Sequence, residues 1–331
     1  MARSVTRPRL RRGGELTPVL AVAAAVALFH LLLGGRYGFH RDELYYLAAG
    51  RHPALGYVDQ PPVVPLLARA ITETAGQHLW PLRAVAGAAH AAVVVLGALI
   101  ARQLGGGRRA LMLAAVATAT MPLLVAAGSL FGTVVFDQVW WALALLLVVR
   151  LLDGADPRWW IGVGAVMGLG LETKWTIALL GAGLAMGFAA VPQARRHLAR
   201  PWPWAGAAVA LALWSPNLVW QALNGWPTLE FVRNTNAGVR AEDGRLGFVV
   251  LQAGMVGPLA LPLVGAGLVR LWRSRTWRPL AVATASVAAA LLVVGGKAYY
   301  LGPLWVLAAG AGAVAAERWI DAQRWSDAEG W

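Results

Sequence analysis

Apolar residues fall into ten long runs, at roughly 17–35, 82–101, 110–128, 135–152, 159–172, 175–191, 203–220, 247–271, 279–295 and 302–317. A stretch of about 20 apolar residues is the length an α-helix needs to cross the hydrocarbon core of a bilayer. The pattern therefore predicts an all-α polytopic membrane protein with about ten transmembrane helices. The run 159–172 is short and leaves little connector before the next, so it is expected as a short helix or as part of a bent pair. Residues 36–80 interrupt the pattern with two helix-like pieces, about 41–50 and 62–77, on either side of the turn-rich Pro53–Pro62 stretch. Both pieces are expected to lie flat on the membrane surface as amphipathic helices. A second long polar stretch, 221–246, reads as a loop.

Composition narrows the class. Hydrophobic residues make up 58% of the 331 and charged residues 14%, against about half and a quarter in soluble domains. A disordered chain is excluded and a soluble globule is disfavoured. The absence of cysteine excludes a disulfide framework, a thiolate zinc site and a redox dithiol. The net charge of +13 raises the question of nucleic acid. However, 27 of the 29 bases are arginines set in short clusters between apolar runs, not gathered on one soluble face. They read as topology signals, and no nucleic-acid partner is expected.

With the arginine-rich start placed inside, strict alternation puts 19 bases and 7 acids inside, and 10 bases and 9 acids outside. That asymmetry supports the orientation. It predicts a cytoplasmic basic tail over 1–16, a transmembrane domain over 17–317, and a short cytoplasmic tail over 318–331 with no C-terminal soluble domain. Loops 36–80 and 221–246 face outward. A cleaved signal peptide over 1–35 is disfavoured, because no small-x-small site follows Leu33 and nine more apolar runs do. The expected location is the cell membrane, with the active site on the outer face.

Candidate chemistry gathers at the predicted outer boundary. In Phe39-His40-Arg41-Asp42-Glu43-Leu44-Tyr45-Tyr46, Asp42 shares a helical face with Tyr45 and Tyr46 at spacings of three and four. Asp42 reads either as a general base on a hydroxyl or as a helix N-cap. Asp59, in Gly56-Tyr57-Val58-Asp59-Gln60-Pro61-Pro62, reads as a cap or as lining the same pocket. Asp137 is set among apolar residues in the expected turn between the third and fourth runs. An acid there is costly unless it is paired, faces a wet cavity or caps a helix. The two lysines, Lys174 and Lys297, both map to the outer side. A compact ammonium there suits a phosphate; the alternatives are snorkelling and, for Lys174, a local pair with Glu172. The six histidines show no metal-ligand spacing, though His40 with Asp42, Glu43 and Asp59 could hold a divalent ion. No cofactor is expected otherwise. Gly105-Gly106-Gly107 lacks the Lys-Ser/Thr of a phosphate loop and reads as a turn. Gly164/Gly168 and Gly183/Gly187 have the spacing of close helix packing.

Arg41-Asp42-Glu43-x-Tyr45-Tyr46 after the first run resembles the signature of bacterial glycosyltransferase family 39-type proteins. These are similar to dolichyl-phosphate-mannose protein mannosyltransferases and to lipid A aminoarabinose transferases. Further similar stretches follow in the family's order: Gly56-Tyr57-Val58-Asp59-Gln60-Pro61-Pro62, Phe136-Asp137, Gly168-Leu169-Gly170-Leu171-Glu172-Thr173-Lys174, Ser215-Pro216-Asn217-Leu218-Val219-Trp220-Gln221 with Asn224-Gly225-Trp226-Pro227, and Lys297-Ala298-Tyr299-Tyr300-Leu301-Gly302-Pro303. The resemblance implies a GT-C fold and transfer of a sugar from a polyprenyl-phosphate donor to a protein, lipid or glycan acceptor outside the membrane. It implies Asp42 as the catalytic base, Asp137 as an assisting acid, and Lys174 and Lys297 as holders of the lipid phosphate. Glu43, Tyr45, Tyr46, Asp59 and Tyr299 complete the expected substrate-binding set. A direct displacement with one base would invert the anomeric centre. Relatives commonly extend past the last span into a soluble domain, so a non-catalytic truncated paralogue is one rival reading. A secondary transporter or flippase is another, but its charges would lie nearer the bilayer midplane.

Overall fold

The computed structural model describes residues 15–242 and 244–329. The tail arginines at 3–12 lie outside the described residues. Every described element is helical. After α1 (Thr17–Leu33) come two short helices, α2 (Arg41–Arg51) and α3 (Val63–Ala75), where the first long loop was expected to be amphipathic. Then follow α4 (Leu79–Gln103), α5 (Arg108–Thr120), α6 (Pro122–Gly128), α7 (Thr133–Leu152), α8 (Trp159–Leu171), α9 (Ile177–Ala190), α10 (Pro192–Leu198) and α11 (Pro201–Leu223). The chain ends through α12 (Pro227–Glu242), α13 (Gly244–Val256), α14 (Leu261–Arg273), α15 (Arg278–Val294), a 3₁₀ turn (Ala298–Leu301) and α16 (Gly302–Glu329).

Each apolar run coincides with a helix or a bent pair, but the runs are not ten full-length spans. Among the described residues, α4, α7 and the last helix with its 3₁₀ entry are long and apolar enough to cross a membrane alone. Three bent pairs qualify only together, and α1, α8 and α15 are shorter apolar helices. The bends have local causes. The run 110–128 breaks by 62° between α5 and α6 at Pro122, which lacks an N–H and clashes with the preceding turn. The run 247–271 breaks by 109° between α13 and α14, where Gly257 takes φ +77° and Pro258 follows. The run 175–191 turns by 119° into α10 at Val191-Pro192. The stretch 221–246, expected as a loop between spans, is mostly helical, as α12.

α4, α7 and α16 form the enclosed centre of the bundle, with Trp141, Leu145, Ile100 and Leu304 fully buried. Outer helices pack in pairs: α14 on α16, α8 on α11, α9 on α15 and α1 on α4. The two predicted small-residue stripes make two of these contacts. A methyl added to Gly164 would overlap the Gly206 backbone of α11, and one on Gly187 would overlap the Pro279 carbonyl oxygen of α15. Small residues let the backbones come this close.

Candidate active site

The first loop is held by one buried ion pair that the sequence reading did not anticipate. Arg83 stands in the second turn of α4, and all five of its N–H donors are used. Nε and Nη2 donate to the two oxygens of Glu43 at 2.9 and 2.8 Å. Nη1 donates to the carbonyls of Gly34 and Tyr37, and Nη2 also to that of Gly38. Glu43 is fully buried and accepts in addition from the backbone N–H groups of His40, at 2.9 Å, and Phe131, at 3.1 Å. Burial pushes the Glu43 carboxyl up, but the Arg83 and backbone hydrogen bonds outweigh it and hold the group below its ordinary value. One carboxylate thus joins the segment after α1, the start of α2, the start of α4 and the α6–α7 turn. Glu43, expected to bind substrate, is spent on this clamp and cannot reach a ligand. The one sequence signal was an arginine near the start of an apolar run.

The clamp leaves Asp42 on the open side of α2. His40, not Asp42, is the N-cap of α2, and its Nδ1 accepts the Asp42 N–H at 3.2 Å. The cap reading of Asp42 therefore fails, because the helix begins two residues earlier than that reading requires. The Asp42 carboxylate is 59% exposed, with Arg41 Nε at 3.4 Å and His40 Nδ1 at 3.9 Å. With His40, Tyr46 and Tyr299 it lines a cavity of about 220 Å³ whose floor is the α6–α7 turn, Leu130–Thr133. Tyr46 packs edge-on against Phe131, and its hydroxyl accepts the Thr133 N–H at 3.4 Å.

The lysines meet at Tyr299, which lines this cavity, from two distant connectors. Lys174, between α8 and α9, lies 5.0 Å from the Tyr299 ring and 5.1 Å from that of Tyr300. Lys297, between α15 and the 3₁₀ turn, lies 5.9 Å from the Tyr299 ring. Tyr299 is therefore shared by both ammonium groups, at distances that favour cation–π attraction. Lys174 engages the rings rather than Glu172, whose carboxylate accepts instead from the Asn217 N–H at 3.3 Å. Burial, and after it the charge of Lys174, pushes Lys297 below its ordinary value, while Asp42 pulls the other way and Arg41 adds to the repulsion. Two cations pressed together in this way favour an anion between them.

Asp137 is not in the expected turn. α7 starts at Thr133 after Gly132, which carries Asp137 into the second turn and buries it. It accepts from Trp141 Nε1 at 3.0 Å and Thr176 Oγ1 at 2.7 Å and interacts with the charge of Lys174. It is not among the residues that line the cavity. Asp59 does not cap α3, whose N-cap is Pro62. Its Oδ1 accepts the Tyr45 hydroxyl at 2.5 Å, and this pair flanks the cavity without lining it. Among the described residues no three His, Asp or Glu side chains converge. The candidate ion set of His40, Asp42, Glu43 and Asp59 does not assemble, since Glu43 is committed to Arg83 and Asp59 to Tyr45.

The other quoted motifs carry the second support of the loop. Asn217 Nδ2 donates to the Leu55 carbonyl at 3.0 Å, and Trp175 Nε1 donates to Asn217 Oδ1 at 2.9 Å. Gln221 is fully buried and donates to Thr228 Oγ1 at 2.6 Å, and Thr228 in turn bonds the Tyr57 carbonyl. A Cβ on Gly56 would collide with Trp220. The turn 55–57 is thus seated on the end of α11.

Comparison with known proteins agrees with this architecture. Residues 59–220 match the family described as dolichyl-phosphate-mannose-protein mannosyltransferase. The lipid A galacturonosyltransferase RgtD of Rhizobium johnstonii is 26% identical over 247 residues, covering 72% of this chain and 50% of that protein. ArnT from Cupriavidus metallidurans bound to undecaprenyl phosphate superimposes with a TM-score of 0.69 at 20% identity, over 92% of this chain and 60% of that one. An Archaeoglobus fulgidus oligosaccharyltransferase superimposes with a TM-score of 0.62 at 14% identity, over 93% and 50%. The chain spans about half the length of the curated relative it matches.

Proposed function

We propose that this chain, which shares the fold of ArnT, moves a sugar from a polyprenyl-phosphate-linked donor to an acceptor on the outer side of the membrane. The observation that carries the reading is the placement of Tyr299, which lines one cavity with the exposed carboxylate of Asp42 and has both lysines against its ring. The motifs shared with the mannosyltransferase family and the undecaprenyl phosphate held by ArnT support the donor class.

The chemistry follows from charge. Asp42 takes the proton of an acceptor hydroxyl as that oxygen attacks the anomeric carbon. The bond from the anomeric carbon to the phosphate oxygen breaks, and the lipid phosphate leaves with one more negative charge than it had as a diester. Lys174 and Lys297 offset that new charge, and their benefit grows as it develops. The negative charge of Asp137 attracts Lys174. A single displacement inverts the anomeric centre. Only the ammonium groups and one base are needed, because a phosphate-linked sugar is already activated.

The test is binding of undecaprenyl phosphate to the purified chain in nanodiscs. The wild type is expected to bind, and Lys174→Met and Lys297→Met to bind roughly ten- to a hundredfold more weakly, since a charge-assisted contact is worth about 1.5–3 kcal/mol. Unchanged affinity in both variants, at unchanged folding, refutes the clamp. Mass spectrometry of envelope lipids, glycans and proteins with and without the gene then identifies the acceptor.

A further inference from the structure

At the opposite end of the bundle, the ends of α4, α7 and α14 and residue Arg318 of α16 surround a cleft of about 890 Å³. α4, α7 and α16 each begin near the candidate active site and run toward this cleft, and the 20 residues of α7 span about 30 Å between them. Four guanidinium groups line it, from Arg102, Arg270, Arg273 and Arg318, together with Ser274 and Thr276. Asp153 also lines it, and its Oδ2 accepts the Gln103 amide at 2.9 Å. Glu317 of α16 is not among the lining residues. It accepts the backbone N–H groups of Gly107, Arg109 and Ala110, which fixes the Gly105-Gly106-Gly107 turn as one wall.

Inside-facing arginines are common at helix ends, but topology requires only that they reach water. Arg270 does more than that. Its Nη2 donates to the Leu104 carbonyl at 3.0 Å, while its Nε is buried with no partner. A buried donor of a charged group left unpaired is costly until an acceptor arrives. A neighbouring cleft of about 420 Å³, lined by Arg196, His197 and Arg275, shares Thr276 with the first. The cationic surface is therefore continuous around the α14–α15 turn.

We propose that this cleft is a second anion site, which binds a phosphate group about 30 Å from the active site. The planar forks of several arginines match phosphate oxygens better than single ammonium charges do, and the two hydroxyls add donors. The phosphate belongs either to the headgroup of an anionic phospholipid in the leaflet at this end, where basic pockets between helices hold such headgroups, or to a soluble phosphate.

Native mass spectrometry and thermal unfolding of the full chain in detergent test this. The probes are dioleoylphosphatidylglycerol, dioleoylphosphatidylcholine and inorganic phosphate. The wild type is expected to retain phosphatidylglycerol over phosphatidylcholine and to unfold at a higher temperature with it. R273Q/R318Q, which changes two exposed arginines, is expected to weaken that binding by roughly tenfold or more. Stabilisation by inorganic phosphate alone, lost in R273Q/R318Q, supports the site with a soluble ligand. R150Q/R158Q removes two charges at the same end but outside the cleft, and is expected to bind normally. Equal loss in R150Q/R158Q would mean diffuse charge attraction and overturns the site. So does binding of neither anion by the wild type, or undiminished binding by both R273Q/R318Q and R270Q.

Discussion

Asp42 and Glu43 are adjacent acids with opposite duties, and single substitutions separate them. Asp42 is solvent-facing and bonds nothing that would hold a helix together, so Asp42→Asn is expected to fold as the wild type does. An amide cannot accept the acceptor's proton, so turnover is expected to fall roughly 10²–10⁴-fold with donor binding retained. Near-wild-type transfer in that variant removes Asp42 as the base. Glu43 is the converse case. Removing one partner of a buried ion pair leaves an uncompensated charge, which costs about 3–5 kcal/mol, so Glu43→Ala should unfold far below the wild-type temperature. Its carboxyl is held below the ordinary value, so its contribution is fully present above the usual glutamate range, about pH 4.3. It is lost as pH falls through the depressed value. Thermal unfolding as a function of pH should therefore show an acid limb in the wild type that flattens in Glu43→Gln.

Helix contacts set the distances between these residues. Lys174 and Lys297 sit in the connectors α8–α9 and α15–3₁₀, and α9 packs on α15 through Gly183 and Gly187. A side chain at Gly187 must displace the α15 backbone at Pro279. Gly187→Leu is expected to lower stability by about 1–3 kcal/mol and to weaken undecaprenyl phosphate binding although no ligand group is touched. Gly181→Leu is the control, because a Cβ there meets only the flexible end of Met167, and it should change neither. Thermal unfolding and the same binding assay distinguish the two outcomes. The bend at Pro122 acts at this scale too, since it carries the α6–α7 turn under Asp42 and into contact with Glu43.

Across the whole molecule, charge separates the two ends of the bundle. Asp42, Lys174 and Lys297 lie at one end, and Arg102, Arg270, Arg273 and Arg318 at the other. The basic asymmetry predicts the second end to be cytoplasmic. The chain has no cysteine, so single cysteines report sidedness directly. Asn234→Cys in α12 should react with an impermeant thiol reagent in intact cells, and Gln193→Cys at the start of α10 should not. The reverse pattern inverts the topology.

Periodicity and composition alone determined the helical membrane class, the position of each apolar run and the two amphipathic pieces of the first loop. Burial of apolar surface is a property that a run of residues carries by itself, so these features are legible without neighbours. The turn at Gly105-Gly106-Gly107 and the close packing at Gly164 and Gly187 were legible for the same local reason. The bends at Pro122 and Gly257 left proline and glycine signals inside the runs, but a bend needs a packing partner to set its angle. What only the tertiary structure decided was the sorting of like residues into different duties. Glu43 became a clamp because Arg83, forty positions away, brings its full set of donors to it. Asp137 became a buried support because α7 begins four residues before it, and Asp59 was drawn to Tyr45. Lys174 and Lys297, 123 positions apart, meet on one tyrosine ring because α9 and α15 pack side by side. Electrostatic roles depend on distances between side chains, and those distances exist only once the helices have packed.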